Sequence, residues 1–209
     1  MKPTILNKQC IIWDWGGVCC IAGEHFSNQR MLARCGLSAD EMSERCRDIE
    51  IELYLGKIDG RKFWEIVKSR FSLSDFTFEE LHQSYIASYS LHDEVWEFIR
   101  SYRSTSSGQI VHALLSNLGE DMSDHIIKTH QLADFLSPLI FSHRIGKMKP
   151  DASVFEYAVQ TIGIPQTACV FVDDAPANVI AARNVGLDAI LFTSPKQALE
   201  ELRGFGFHG

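Results

Sequence analysis

The chain has 209 residues with 45% hydrophobic content, which fits one α/β domain or one domain carrying an inserted subdomain, and excludes a disordered chain. Its net charge of −7 argues against nucleic acid or an anionic membrane as the main partner, while leaving room for a small anionic substrate if a metal supplies local positive charge. No run reaches the ~20 apolar residues of a membrane span, and the N-terminus, MKPTILNKQC, lacks the features of a signal peptide. The six cysteines show no CxxC pair and no zinc spacing. The expectation is a reduced, cytoplasmic protein, with monomer and homodimer both open.

Residues Gln9–Trp15 read as a short, continuously apolar buried strand, broken by Gly16-Gly17. From about Glu24 to Arg100 the pattern turns helical. Met31, Leu32 and Cys35 recur at helix spacing, as do Ile49 and Leu53, and then Phe63, Ile66 and Val67. Asp59 suits the N-cap of the helix through Phe63-Trp64. Ser74 or Thr77 suits the N-cap of the helix holding Leu81, Tyr85 and Tyr89, and His92 or Asp93 opens a helix with Val95, Trp96 and Ile99.

Ser104–Gly108 reads as a loop. Beyond it the chain alternates. A strand ends at Ser116, a helix runs through Met122–His130, and a short strand covers Leu139–Ser142. A helix over Ala152–Thr161 follows Pro150. The strand Cys169–Val172 leads to a helix over Ala177–Asn184 after Pro176, stopped by Gly186. Ala189–Phe192 is the last strand, and Pro195 opens the final helix. Such alternation predicts an α/β fold, a parallel sheet with helices on both faces. The helical block is too long for a simple crossover, which predicts a helical cap subdomain at residues 20–90 inserted into a core of residues 1–19 and 91–209.

Four segments carry chemistry. Asp14 follows Ile11-Ile12-Trp13, Ser116-Asn117 ends Ala113-Leu114-Leu115, Lys149-Pro150-Asp151 comes next, and Asp173-Asp174 follows Val170-Phe171-Val172. Three of these sit where an apolar strand runs out, and ligands of open α/β sheets bind at the carboxyl ends of strands. Asp14 suits a nucleophile, Asp173-Asp174 suits Mg²⁺, Lys149 suits charge neutralisation, and Ser116 with neighbouring amides suits donation to phosphoryl oxygens. Each has an ordinary structural alternative: turn-bonding for Asp14, helix capping for the acidic pair, a solvated lysine, a Ser-Asn turn. Trp15 suits either the site or the core. The eight histidines show no ligand spacing, and none is assigned to a metal.

Taken together and in this order, the segments resemble the haloacid dehalogenase superfamily, in its phosphatase branch with a helical cap after the first motif. The resemblance spans Ile12–Val18, Leu114–Asn117, Gly146–Asp151 and Val170–Asp174, with a tail over Ala177-Asn178 and Ala181–Gly186. It implies a Rossmann-like core, Mg²⁺ as cofactor and phosphoryl transfer through Asp14 from a small-molecule phosphomonoester. It assigns Asp14, the Gly16 carbonyl, Asp173 and Asp174 to the metal, with Asp174 ligating directly and Asp173 directly or through water. It assigns Ser116, Asn117, Lys149 and Gly17 to the substrate. The departure is Gly16, where most such phosphatases carry an aspartate as general acid and base. That residue type contributes roughly 10²–10⁴-fold. A slow or dead site, replacement by Glu24 or His25, and a substrate with an easier leaving group are the three consequences open. The first motif, with Lys149-Pro150-Asp151 and Asp173-Asp174 later, is similar to a bacterial subgroup that includes an α-glucose-1-phosphate phosphatase, which favours the last. The alternatives are a metal-independent 2-haloacid dehalogenase and a binding or regulatory protein without turnover.

Overall fold

The computed structural model describes residues 8–21, 25–104 and 110–208. The expected loop at Ser104–Gly108 lies, beyond Ser104, outside the described residues, as does Glu24. Strand β1 (Cys10–Trp13) is followed by the two-residue β2 (Cys20–Ile21) and four helices: α1 (Gln29–Cys35), α2 (Ala39–Tyr54), α3 (Gly60–Arg70) and α4 (Phe78–Ile86). Strand β3 (Ser90–Leu91) and α5 (Asp93–Ser104) lead back to the sheet. Then come β4 (Val111–Ser116), α6 (Glu120–His130), β5 (Leu139–Phe141), α7 (Ser142–Ile145), α8 (Ala152–Ile162), β6 (Cys169–Asp173), α9 (Pro176–Asn184), β7 (Asp188–Leu191) and α10 (Pro195–Gly204).

Five strands form one parallel sheet in the order β5-β4-β1-β6-β7. The chain steps outward from β1 in one direction and later in the other, so the switch point lies between β1 and β6, at the ends that carry Asp14 and Asp173. Both sheet faces are covered, which explains why the strands read as unbroken apolar runs. Ile11, Trp13, Val170 and Val172 enter one buried cluster, and Cys10, Ile12, Cys169 and Phe171 the other. His112, on β4, is buried and accepts a hydrogen bond at Nδ1 from Trp13 Nε1 (3.0 Å); burial pushes its imidazole pKa down to about 4.

The helical segment leaves and returns through the antiparallel β2–β3 pair, Cys20 opposite Leu91 and Ile21 opposite Ser90. Its helices have local causes. Ser38 and Glu41 make a reciprocal capping box on α2, Asp59 accepts from Lys62 N on α3, and Thr77, not Ser74, caps α4. Tyr89 lies beyond the end of α4, in the turn before β3. The segment touches the sheet domain through side chains such as His82 of α4, whose Nε2 stands 3.1 Å from Asp121 Oδ2 at the start of α6.

β1 stops at Trp13 rather than Trp15, because Trp15 turns to gather the loop. Its carbonyl accepts from the amides of Cys19 (2.9 Å) and Cys20 (3.0 Å). Ser142, expected to end β5, instead starts α7, and its hydroxyl accepts from Leu118 N (3.1 Å), joining the β4 and β5 ends.

Candidate active site

Asp14 continues the β1–β6 ladder by one bond, its amide donating to Val172 O (3.0 Å). This fixes the carboxylate at the strand end. Oδ1 accepts from the Trp15 amide (2.7 Å) and faces Lys149 Nζ at 2.8 Å. Lys149 is buried and reaches a second carboxylate, Asp173 Oδ2, at 2.6 Å. One ammonium thus bridges two strands' terminal aspartates.

The lysine is held from behind. Asn117 Nδ2 donates to Lys149 O (2.9 Å), and Lys149 N donates to Asn117 Oδ1 (2.9 Å). The side-chain amide therefore pairs with one residue's backbone as a strand would, pinning the lysine loop to the end of β4. Asp173 is equally engaged. Its Oδ1 accepts from Ala175 N (2.8 Å), and Asn178 Nδ2 donates to both its oxygens (3.0 and 3.1 Å).

Asp174 differs from its neighbour in being exposed to the cavity side. Oxygens of Asp14, Asp173 and Asp174 lie within 4.8 Å of one another. Gly17 makes room for this: it has φ +74°, and a Cβ there would collide with the Asp174 carboxylate. Gly17 therefore lies under Asp174. At Gly16 the direction a Cβ would take is open, with nothing within 4 Å, and the residue lines the cavity.

Charge is unbalanced here. Burial pulls the Lys149 ammonium down, but Asp14 and Asp173 outweigh it and hold the pKa above the usual lysine range. Burial opposes ionised Asp173, yet Lys149, the Ala175 amide and Asn178 keep its carboxyl low. Burial, offset only in part by Lys149, pushes Asp14 up to about 7, and burial plus Asp173 raises Asp174. Three carboxylates share one ammonium, and the two without a full complement of donors are the raised ones. A hard, oxygen-seeking cation fits that donor set.

Above this floor lies a cavity of about 290 Å³. Ser116, buried at the end of β4, and Asn117 line its lower side, and Trp15, Tyr54, Tyr85, Tyr89, Leu118 and Met122 line the rest. Trp15 serves both roles anticipated for it: it is buried edge-on against Tyr89 and Trp96 and also borders the cavity. Periodicity places Tyr85 and Tyr89 in the helical segment but not at the cavity, since a buried face does not say what it faces, and Tyr54 carries no signal of its own. Asn178, seen only as part of a motif tail, is a direct partner of Asp173. His25 lies behind the wall, stacked on Tyr85 (4.0 Å between ring centres), with Nδ1 3.4 Å from both Tyr54 Oη and Glu50 Oε1.

The family model described as haloacid dehalogenase-like hydrolase matches residues 9–186. Among curated relatives, a flavin mononucleotide hydrolase of Arabidopsis thaliana is 26% identical over 64% of this chain and 53% of its own length. A phosphoglycolate phosphatase of Neisseria meningitidis is 28% identical over 89% of this chain and 80% of its own length. The chain spans only 20% and 53% of the first two curated relatives it matches. An HAD-family enzyme of Bacteroides thetaiotaomicron, in a variant crystallised with magnesium and inorganic phosphate, superposes with a TM-score of 0.73 at 16% identity, covering 88% of this chain and 93% of that one. At that identity the likeness carries the fold. Among the described residues no helix is long and apolar enough to cross a membrane.

Proposed function

The chain belongs to the haloacid dehalogenase-like hydrolase family, and from that premise we propose that it is a Mg²⁺-dependent phosphatase of a small phosphomonoester, acting through an aspartyl-phosphate on Asp14. The observation that carries this reading is a cluster of three carboxylates with oxygens within 4.8 Å of one another, two of them paired with a single buried ammonium. We assign Asp14, Asp174 and the Gly16 carbonyl to the metal directly. Asp173, whose two oxygens are both bonded to protein donors, holds Lys149 and acts on the metal at most through water. The bound ion supplies positive charge that lets a phosphoryl dianion approach a carboxylate.

The chain's own residues do the rest. Lys149 keeps the Asp14 carboxylate aimed into the cavity and offsets charge on the transferring group. The Ser116 hydroxyl donates to a phosphoryl oxygen. Asn117 acts by positioning Lys149. A carboxylate oxygen of Asp14 attacks phosphorus, the bond to the leaving oxygen breaks, and that oxygen takes up a proton from solvent water. Water then attacks phosphorus, the phosphorus–Asp14 bond breaks, and orthophosphate leaves with the water's proton passing back to solvent, restoring the Asp14 carboxylate.

Gly16 supplies no proton at either step, so the finer reading is a substrate that leaves without much help. An anomeric oxygen is more acidic than an ordinary alcohol, and a sugar 1-phosphate therefore suits this site. The cavity, at the low end of the roughly 300–1,000 Å³ of small-molecule sites, suits one ring. The domain division at residues 20–90 belongs to the same reading, with the helical segment as a cap. The dehalogenase alternative needs no acidic metal cluster, so Asp174 would have no task in it. The test is phosphate release from a phosphomonoester panel with Mg²⁺ and with chelator. Turnover that survives chelation, or halide release from 2-haloacids, would replace this reading.

A further inference from the structure

The wall opposite the carboxylate floor has a charge character of its own. Among the described residues lining the cavity, Lys149 is the one cation, and both its short contacts go to Asp14 and Asp173. The wall is made of Trp15, Tyr54, Tyr85, Tyr89, Leu118 and Met122. Behind it stand acids. Glu50 Oε1 stands 3.4 Å from His25 Nδ1, beside Tyr54, and Asp121 Oδ2 stands 3.1 Å from His82 Nε2; burial foremost, then Glu50 and Asp121, hold the Tyr54 proton, and Asp14 of the floor adds to them. A carboxylate or second phosphate on the leaving side of a substrate would be desolvated here, without a counter-ion and in the field of these acids.

Tyr54 adds a directional element. His25 Nδ1 stands 3.4 Å from Glu50 Oε1 and 3.4 Å from Tyr54 Oη. In the tautomer that carries its proton on Nδ1, His25 donates to the Tyr54 oxygen and stands beside the Glu50 carboxylate. The Tyr54 O–H is then left to donate, and the cavity lies beside it.

We infer that the site selects phosphomonoesters whose leaving group is an uncharged ring, with Tyr54 donating a hydrogen bond to an oxygen of that group. This rests on the phosphomonoesterase reading of the same site. It separates this chain's expected substrates from phosphorylated carboxylic acids and from nucleoside di- and triphosphates. The aromatic wall gives a ring a face to lie on, and the hydroxyl gives a hydroxylated ring an orientation.

The experiment uses two matched pairs: phenyl phosphate against 4-carboxyphenyl phosphate, and a hexose 1-phosphate against the corresponding hexuronic acid 1-phosphate. Binding to the Asp14→Asn protein, first shown by calorimetry to retain Mg²⁺, is measured by calorimetry, and kcat/KM by phosphate release from the unaltered protein. The uncharged member of each pair is expected to win by roughly tenfold or more in both readouts, equivalent to ~1.4 kcal/mol. Equal or better binding of the carboxylated members overturns the inference. Discriminating binding with no phosphate release overturns the hydrolytic reading and supports the selection. No binding of any member overturns both. In Tyr54→Phe, checked for an unaltered melting profile, the hexose 1-phosphate is expected to lose more affinity than phenyl phosphate. Equal losses for the two would remove Tyr54 from the orienting role.

Discussion

Gly16→Asp introduces the general acid–base residue that the family resemblance leads one to expect at this position, and the structure says the change fits. A side chain at position 16 enters open space, and the backbone there is not left-handed, so neither sterics nor strain opposes it. The new carboxyl would stand among three others that already carry one ammonium between them. Like charges raise its pKa, which is the direction a proton donor needs. General acid–base catalysis is worth roughly 10²–10⁴-fold, or ~3–5 kcal/mol of barrier. The gain depends on the leaving group. Nitrophenolate departs with little help, whereas an alkyl alkoxide needs a full proton. We therefore expect kcat/KM for an alkyl phosphate to rise by about 10²-fold or more, and the value for 4-nitrophenyl phosphate to change far less. The assay is phosphate release from both substrates at saturating Mg²⁺, wild type beside variant. A uniform change across both substrates, or none on either, would refute the argument that position 16 faces the leaving oxygen.

Asn117→Ala removes both bonds that pin the Lys149 backbone; we expect a loss of about 1–3 kcal/mol in urea unfolding and a larger fall in kcat than in 1/KM, because the loop no longer holds its lysine. Gly17→Ala forces a Cβ into the Asp174 carboxylate at a left-handed backbone position; isothermal titration should show weakened Mg²⁺ binding, and unchanged affinity would mean Asp174 is not a ligand. His112 is neutral in the folded protein, its pKa pushed from 6.5 down to about 4 by burial. The unfolded chain therefore takes up a proton that the native one refuses. This contribution is fully present above pH 6.5 and is lost as pH falls toward 4, by about 3 kcal/mol. In His112→Gln, urea midpoints measured across that range should lose most of this slope.

The readable parts of the sequence were those whose physics is local or periodic. β1, β4 and β6 show as apolar runs because both faces of the sheet are covered, and Asp14, Ser116 and Asp173 are then placed at their ends by topology alone. Other features had no such signal. A two-residue strand such as β2 has no period to detect, so the β2–β3 pair beneath the helical segment was invisible. Ser116-Asn117 reads as a turn, and nothing local says that the Asn117 amide reaches across 32 positions to Lys149. The equivalence of Asp173 and Asp174 in sequence dissolves in space: one is saturated by Lys149, Ala175 and Asn178, the other lines the cavity. The tyrosine wall depends on how α2 and α4 sit over the sheet, which is a tertiary fact. Gly17, expected to touch substrate, lies against Asp174 and is not among the cavity-lining residues.

The account depends on Asp14 taking the phosphoryl group. Rapid-quench mass spectrometry of the protein turning over a phosphomonoester with Mg²⁺ addresses that directly. A phosphoryl adduct on the peptide holding Asp14, discharged by hydroxylamine and missing from Asp14→Asn, is the expected result. Sustained phosphate release with no adduct there at any quench time, or with undiminished turnover in Asp14→Asn, would contradict it.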